Sequence, residues 1–340
     1  MQSDELLNVS NLKAYFFLAS GIAKAVDGVS FTIAKGETLG VVGESGSGKS
    51  VMSKCIIRLL EKVGRIVEGK ILFDGKDVLS FSEKELLSFR GTNVGMIFQD
   101  PMTSLDPIFR VGDQMIENIR VHQKISKAEA YRISVDTLRA VGIPNPQARM
   151  NAYPFELSGG MCQRVIIAMA LCTHAKLIIA DEPTTALDVT VQMQVLRLLK
   201  KLQKENGTSL MLITHNLGVI WEMCDQVMVM YAGKIVEFAD VKTLYSNPLH
   251  PYTWGLMDSR PSLSTGKKSK LLAIQGTPPD LRLTGTCCNF YNRCPYAEPI
   301  CMQHVPEMVE IKPGHLVACH RQTKTNVLQR EGGGKNEAGR

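Results

Sequence analysis

A glycine-rich pattern of eight residues constrains the fold of this 340-residue chain more than any other feature. It runs Gly43, Glu44, Ser45, Gly46, Ser47, Gly48, Lys49, Ser50 and matches the phosphate-binding loop GxxxxGK[ST]. By average residue usage, on the order of one chain in a hundred of this length would match by accident. An apolar run, 38–42, precedes the pattern, and apolar periodicity predicts a helix over 51–60 after it. The alternative is a glycine-rich turn that binds no ligand. In such a turn Lys49 would have no role in packing.

The chemistry of such a loop depends on its residue types. Glycines let the backbone N–H groups turn inward around phosphate oxygens, and the following helix adds the positive end of its dipole. Lys49 can reach the β- and γ-phosphates, and the hydroxyl of Ser50 can bind Mg²⁺. The pattern therefore predicts a site for a nucleoside triphosphate with Mg²⁺.

Two carboxylates follow a second apolar run, at 177–180. Asp181 and Glu182 would lie at the carboxyl end of a buried strand, where α/β sheets bind ligands. We expect Asp181 to hold Mg²⁺ through water and Glu182 to polarise the attacking water beside the γ-phosphate. An apolar run that ends in acidic residues is weak by itself. Together with the phosphate loop it predicts ATP hydrolysis by positioning and charge stabilisation.

The first 240 residues alternate short apolar runs with longer helical patterns, which predicts an α/β core with a mostly parallel sheet. Edge or antiparallel strands are expected at 71–75 and 235–238. Between Gly112 and Arg164 only helical periodicity is present, so we expect a helical insertion there. The buried strands are predicted at 38–42, 94–98, 177–180, 210–213 and 227–230.

Composition excludes several classes of protein. The longest apolar run, Val165 to Cys172, is far below the roughly 18 residues that cross a bilayer. Acidic residues, Asp4 and Glu5, stand where a signal peptide carries basic ones, so export is not expected. The net charge of +6 is mild and favours no nucleic-acid partner.

Several sequence motifs resemble those of the ABC-transporter ATPases over about residues 5–245. Leu157, Ser158, Gly159, Gly160 and Met161 resemble the signature LSGGQ, with Met in the fifth position. The resemblance implies an α/β P-loop NTPase cassette: a RecA-like core, an antiparallel β subdomain and an inserted α-helical subdomain. A small Cys-rich C-terminal extension follows. The domain boundaries expected are 1–246 for the cassette (helical subdomain about 105–165), 247–270 for a linker, 271–325 for the extension and 326–340 for a disordered tail.

The same resemblance assigns roles to further residues. Gln99 in a Q-loop would bridge Mg²⁺, the attacking water and the transporter interface, and His215 in an H-loop would contact the γ-phosphate. Ser158, Gly159 and Gly160 would close on ATP held by a partner cassette, and Asp188 in a D-loop would link the two cassettes. Either Tyr15 or Phe16 would stack on adenine. A single cassette per chain implies a dimer with itself or with a paralogue.

A narrower resemblance is carried by residues 99–107, by Met161 and by residues 247–253. These segments are similar to the D-type ATPase subunits of dipeptide, oligopeptide and nickel importers, which pair with a separate F-type ATPase. The family implies two permeases, an extracytoplasmic substrate-binding protein and a peripheral location on the cytoplasmic side of the membrane. Peptide import is the function expected. The alternatives are import of nickel or another small solute, a soluble ABC ATPase acting on nucleic acid or ribosomes, and a redox-sensing module.

Five of the nine cysteines lie after residue 286. Clustered cysteines in a non-exported chain more often bind metal than form disulfides. By resemblance to the importer family, Cys288, Cys294, Cys301 and Cys319 would ligate a [4Fe–4S] cluster, with Cys287 as an alternative to Cys288. Zinc is the rival, because four thiolates also suit it, and a metal-free loop is the third alternative.

Overall fold

The computed structural model describes residues 4–184, 187–259 and 274–330. The described strands form two sheets of four and eight strands. They are β1 (Glu5–Leu18), β2 (Gly21–Ala34), β3 (Thr38–Val42), β4 (Gly64–Phe73), β5 (Lys76–Asp77), β6 (Val94–Ile97), β7 (Leu177–Asp181), β8 (Ser209–Ile213), β9 (Gln226–Tyr231), β10 (Lys234–Asp240), β11 (Val309–Lys312) and β12 (His315–Val317).

The helices lie between the strands and in one long insertion. They are α1 (Lys49–Ile56), α2 (Glu83–Thr92), α3 (Pro101–Ser104), α4 (Val111–His122), α5 (Lys127–Ala140), α6 (Pro146–Arg149), α7 (Gly159–Leu171), α8 (Val189–Asn206), α9 (Leu217–Met223), α10 (Val241–Ser246), α11 (Pro251–Asp258) and α12 (Pro299–Gln303). None of the helices in the described part of the chain has the length and apolar character that a membrane crossing requires.

The larger sheet has the order β11-β12-β10-β9-β3-β8-β7-β6. β9, β3, β8, β7 and β6 are parallel neighbours, whereas β10, β12 and β11 pair antiparallel. The predicted parallel core is therefore present. Because parallel strands end at one edge of a sheet, the segments that follow β3, β6, β7 and β8 meet there.

The parallel strands are buried on both faces. Leu39 and Ile179 pack with the smaller sheet and α1, whereas Val42 and Ala180 pack with the other helices. Successive strand residues point to opposite faces, so burial of both faces requires continuous apolar runs. This arrangement is the physical reason that these strands are predictable.

The smaller sheet is antiparallel, in the order β2-β1-β4-β5. Its long hairpin, β1 with β2, packs Leu7, Val9 and Val26 against the core sheet. The family resemblance predicted an antiparallel subdomain, and the described sheet matches it.

The helix after the phosphate loop is shorter than predicted. α1 begins at Lys49 and ends at Ile56 instead of continuing to residue 60. Arg58 adopts a left-handed φ of 50°, which ends the helix. The guanidinium of Arg90 donates to the carbonyls of Ile57 and Arg58 at 2.9 and 2.8 Å and holds this turn.

Helices α3 to α7 form the insertion between β6 and β7, and the described residues there contain no strand, as predicted. The segment predicted as a linker contains α11 in its described part, with Tyr252 and Trp254 buried. Residues 260–270 of that segment and residues 331–340 of the predicted tail, 326–340, lie outside the described residues. In the described part of the tail, Val327 forms a β-bridge with Gln322 and Arg330 an ion pair with Asp258.

The C-terminal segment is built onto the core sheet. β12 pairs with β10, so the β11–β12 hairpin forms one edge of the larger sheet. His315 lies buried against the fully buried Glu237 of β10, with Nε2 2.8 Å from Oε1. The C-terminal segment is therefore joined to the core sheet by strand pairing and by a buried polar contact.

Candidate active site

The phosphate loop lies between β3 and α1 with the backbone shape that its glycines allow. Gly43 has a φ of 155° and Gly48 a φ of 99°. A Cβ on Gly43 would lie 2.2 Å from the carbonyl oxygen of Met230, and one on Gly48 would lie 2.1 Å from that of Ala25. Any larger residue would therefore displace the loop from the neighbouring strands.

Lys49 is buried and points back into the loop. Its Nζ donates to the carbonyls of Gly43 and Glu44, both at 2.8 Å, and to Ser47 Oγ at 3.2 Å. Burial lowers the pKa of the Lys49 ammonium, although nearby Glu182, Asp181 and Glu44 act in the opposite direction. A polyphosphate in the loop would supply the negative charge that this buried cation lacks.

Asp181 ends β7 beside Ser50. Burial raises the pKa of the Asp181 carboxyl, and a hydrogen bond with Ser50 partly offsets this effect. Its Oδ1 is buried and has no hydrogen-bond partner among the described residues. A buried carboxylate oxygen without a partner, next to a hydroxyl, fits the oxygen ligands that Mg²⁺ prefers. Asp181 and Ser50 therefore fit a magnesium site.

Glu182 follows Asp181 and is brought together with the two other predicted catalytic side chains. Gln99 Nε2 lies 3.3 Å from Glu182 Oε2, and His215 Nδ1 lies 3.4 Å from Glu182 Oε1. The three residues follow β6, β7 and β8, so strand order places them at one edge of the sheet. The arrangement surrounds a carboxylate with an amide and an imidazole beside the phosphate loop.

Ser158 of the signature and Asp188 are the N-caps of two other helices, α7 and α8. Ser158 caps α7, its Oγ accepting from the N–H of Met161 at 3.3 Å, and Ser158 and Gly159 are exposed. No hydrogen bond or ion pair among the described residues joins 158–160 to the phosphate loop. Asp188 caps α8 in the same way, its Oδ1 accepting from Val191 at 3.0 Å. Of the predicted D-loop, residues 185 and 186 lie outside the described residues.

The two candidates for adenine stacking differ in their contacts. The hydroxyl of Tyr15 donates to Asp27 at 2.7 Å, and Asp27 also pairs with Lys234 at 2.9 Å. Phe16 packs against the start of β4, its ring 3.1 Å from the position that a Cβ on Gly64 would take. Tyr15 is therefore held by a polar network, whereas the ring of Phe16 lies beside its cross-strand neighbour Gly64.

The four predicted metal-ligating cysteines are electrostatic neighbours. Cys294 and Cys301 each lie near Cys319, Cys288 lies near Cys301, and the N–H of Cys288 donates to the carbonyl of Cys301 at 2.9 Å. Burial raises the pKa of the Cys288, Cys294 and Cys319 thiols to about 11. Burial thus favours the neutral thiol over the thiolate that a metal requires.

The metal prediction is not supported by this geometry. Within 4–184, 187–259 and 274–330, no group of three or more His, Cys, Asp or Glu side chains is arranged to hold a metal ion. Neither a [4Fe–4S] cluster nor zinc therefore has a formed site in the described residues. Spacing along the chain specifies ligand type and number, but not whether the loops bring the sulfur atoms to one centre.

Sequence reasoning missed the contacts between the C-terminal segment and the phosphate loop. The backbone N–H of Glu44 donates to the hydroxyl of Tyr252 at 2.7 Å, and Arg293 forms an ion pair with the Glu44 carboxylate. Tyr252 lies in a segment that the family resemblance singled out, but nothing in its spacing indicated a contact more than 200 residues away in the chain.

Two family models match the chain. One, described as "ABC transporter", matches residues 26–185. The other, described as "Oligopeptide/dipeptide transporter, C-terminal region", matches residues 236–301. The first match contains the phosphate loop and Glu182, and the second spans α11 and most of the cysteine segment.

Similar proteins extend these matches over nearly the whole chain. The chain is 50% identical over 313 residues to the oligopeptide transport ATP-binding protein OppD of Bacillus subtilis, covering 92% of this chain and 87% of that protein. It is 47% identical over 320 residues to OppD of Escherichia coli, covering 94% of each. A solved dimeric structure of the ATP-binding cassette MJ0796 bound to ADP and Pi superposes with a TM-score of 0.64 at 26% identity, covering 69% of this chain and 98% of that one. The chain thus belongs to the ABC transporter family of ATP-binding proteins, in its oligopeptide/dipeptide branch.

Proposed function

We propose that this chain is the subunit that binds and hydrolyses ATP to power a peptide importer. The observation that carries the proposal is the convergence of Gln99, Glu182 and His215 beside the loop that holds Lys49. Peptide as the substrate class rests on the names of the relatives and on the C-terminal family match. Import of nickel or another small solute is the competing function.

In this mechanism the phosphate loop binds the triphosphate through its backbone N–H groups and Lys49. Ser50, Asp181 and Gln99 would hold Mg²⁺, and the ion would supply positive charge to offset that of the phosphates. Glu182 orients the attacking water and accepts its proton, and His215 donates a hydrogen bond to the γ-phosphate. Either Tyr15 or Phe16 stacks on the base. These side chains position the reactants and stabilise charge, which is most of what phosphoryl transfer needs.

A second cassette would complete the site. The exposed Ser158 and Gly159 and the half-buried Gly160 at the start of α7 have the N–H groups and dipole to bind the γ-phosphate held by a partner. Asp188 would lie at the contact between cassettes. The partner is an F-type paralogue or a second copy, and two permeases would receive the closing motion on the cytoplasmic side of the membrane. An extracytoplasmic protein would deliver the solute.

The hydrolytic role is tested by Glu182→Gln in purified protein. We expect loss of MgATP turnover with retained nucleotide binding, because the amide keeps the shape and loses the base. Lys49→Ala should instead lose binding. Glu222→Gln, at an exposed position of α9, and Lys204→Ala, near the exposed end of α8, are the matched controls. Undiminished turnover in Glu182→Gln would refute the assignment.

The transported solute is tested in cells that lack this subunit. Uptake of labelled di- and oligopeptides and of labelled nickel is measured with the natural chain and with Glu182→Gln restored. Peptide uptake that returns only with the natural chain supports the proposal. Nickel uptake that returns without peptide uptake would reject it.

We also propose that the four cysteines bind a [4Fe–4S] cluster in the cell. Support comes from the ligand number and from the electrostatic proximity of Cys288, Cys294, Cys301 and Cys319. Binding would have to draw the sulfur atoms together and deprotonate them. Protein purified anaerobically should show an absorbance band at about 400 nm and contain about four iron atoms per chain. Stoichiometric zinc, or no metal at all, would reject the cluster.

A further inference from the structure

The C-terminal segment is connected directly to the phosphate loop. Glu44, the second residue of the loop, accepts two hydrogen bonds from the guanidinium of Arg293, at 2.6 Å from Nη1 to Oε2 and 2.9 Å from Nη2 to Oε1. The two residues are 249 positions apart. A bidentate pair between a guanidinium and a carboxylate fixes distance and orientation together.

Arg293 is held on several sides. Its side chain is 5% exposed, against 27% for that of Glu44. It also donates to the carbonyls of Gln275 and Ile274 and to the hydroxyl of Tyr231, at 2.9, 3.3 and 3.2 Å. Most of the donors of the guanidinium are therefore satisfied in one orientation, and Glu44 is fixed to a rigid support.

The same loop residue is held through its backbone. The N–H of Glu44 donates to Tyr252 Oη, and the rings of Tyr252, Tyr231 and Phe290 pack together with centroids 4.6 to 5.4 Å apart. Asn289 donates to the carbonyl of Ala232, and the next residue, Gly233, donates to the carbonyl of Ser47 in the loop. The segment 289–293 thus borders the loop along one side.

We propose that Arg293 is a positioning residue for nucleotide binding, which keeps the Glu44 carboxylate turned away from the bound phosphates. This inference rests on the proposed ATPase function. Without Arg293, a negative charge would lie unpaired at the start of the phosphate loop and would repel the triphosphate. The same charge would attract the ammonium of Lys49, whose Nζ lies 2.8 Å from the Glu44 carbonyl.

The test compares MgATP affinity and the KM and kcat of hydrolysis among variants of the full chain. Arg293→Ala should bind MgATP about tenfold more weakly, with KM raised more than kcat is lowered, since a charge-assisted hydrogen bond is worth about a factor of ten or more. Arg293→Lys, which keeps the charge but not the bidentate contact, should be intermediate. The decisive variant is Arg293→Ala with Glu44→Gln, which removes the repelling charge and should recover most of the lost affinity.

Arg282→Ala is the matched control, because Arg282 forms an exposed ion pair with Asp280 in the same segment. Thermal melting is measured on each variant. Unchanged affinity in Arg293→Ala, or a double variant that binds no better than Arg293→Ala, would overturn the proposal. If Arg293→Ala does not fold, the KM of Arg293→Lys tests the proposal. A KM equal to that of the natural chain would overturn it. Failure of the ATPase assignment would appear separately, as equal binding by the natural chain and Lys49→Ala.

Discussion

At the scale of single residues, the backbone conformation of Glu182 indicates a constrained position within the candidate site. Its φ of 47° lies in the left-handed region, which costs a non-glycine residue about 1–3 kcal/mol. Its N–H is held by the carbonyl of Ile213 at 2.9 Å. The strained backbone turns the carboxylate towards Gln99 and His215, so the fold maintains strain where the proposed chemistry needs a base.

His250 is a buried residue whose charge state affects stability. It caps α11, its Nδ1 accepting from the N–H of Tyr252 at 3.0 Å. Burial lowers its pKa to about 4, although nearby Glu237 and a hydrogen bond with Ala318 act in the opposite direction. In the unfolded chain the ordinary value of about 6.5 applies. Between about pH 6.5 and 4 the unfolded chain therefore binds a proton that the folded chain does not.

Because the unfolded chain binds this extra proton, we predict that the free energy of unfolding falls as pH decreases from about 6.5 to 4. The contribution of His250 is up to about 3 kcal/mol. His250→Asn keeps a side-chain acceptor for the helix cap and removes the titration, so its stability should depend less on pH over that range. Urea unfolding at pH 7.5, 5.5 and 4.5 measures both proteins. Parallel pH curves would show that His250 does not titrate as described.

At the scale of elements, α7 and α5 both begin with a serine N-cap, but only the N-terminus of α7 is proposed to bind nucleotide. Ser158 caps α7 and Ser126 caps α5, with Oγ accepting from the N–H three residues on at 3.3 and 3.1 Å. We predict that Ser158→Ala and Ser126→Ala each cost about 1 kcal/mol of stability. Only Ser158→Ala should lower ATP turnover in the assembled importer. Equal turnover in the two variants would contradict a role for the α7 terminus in hydrolysis.

The elements also show what the sequence could predict. β3, β7 and β8 are buried on both faces, so their apolar runs were visible, and the residues that follow them could be grouped at one edge. The pairing of β12 with β10 and the contact of Arg293 with Glu44 join distant parts of the chain. No local pattern specifies such contacts. The cysteine spacing indicated the type of ligand. It did not show whether the sulfur atoms meet at one centre, and the described residues contain no such centre.

At the scale of the whole molecule, the exposed Ser158 and Gly159 and the phosphate loop belong to opposite halves of a proposed interface. We predict that Glu182→Gln with MgATP associates with a second cassette, either its paralogue or itself, because unhydrolysed nucleotide would keep the interface closed. Light scattering coupled to size exclusion measures the mass with MgATP and with MgADP. A mass that stays that of one chain in every mixture would contradict the two-cassette site.

The C-terminal segment completes one edge of the larger sheet. A chain that ends at Ser259 would lack β11 and β12 and leave the edge of β10 open, whereas one that ends at Arg330 would keep both strands. Exposed strand edges promote association between chains. We predict that the shorter chain aggregates at concentrations where the longer one does not, as measured by turbidity. Equal solubility of the two chains would show that the open edge of β10 does not cause aggregation.

The late position of the β11–β12 hairpin in the chain has a consequence for synthesis. Translation delivers β3, β8 and β9 before β12, so the growing polypeptide carries an incomplete sheet until the β11–β12 hairpin has left the ribosome. Arg293 likewise arrives some 250 residues after the glutamate that it holds. The complete nucleotide site, with Glu44 held by Arg293, can therefore form only after residue 293 has been synthesised.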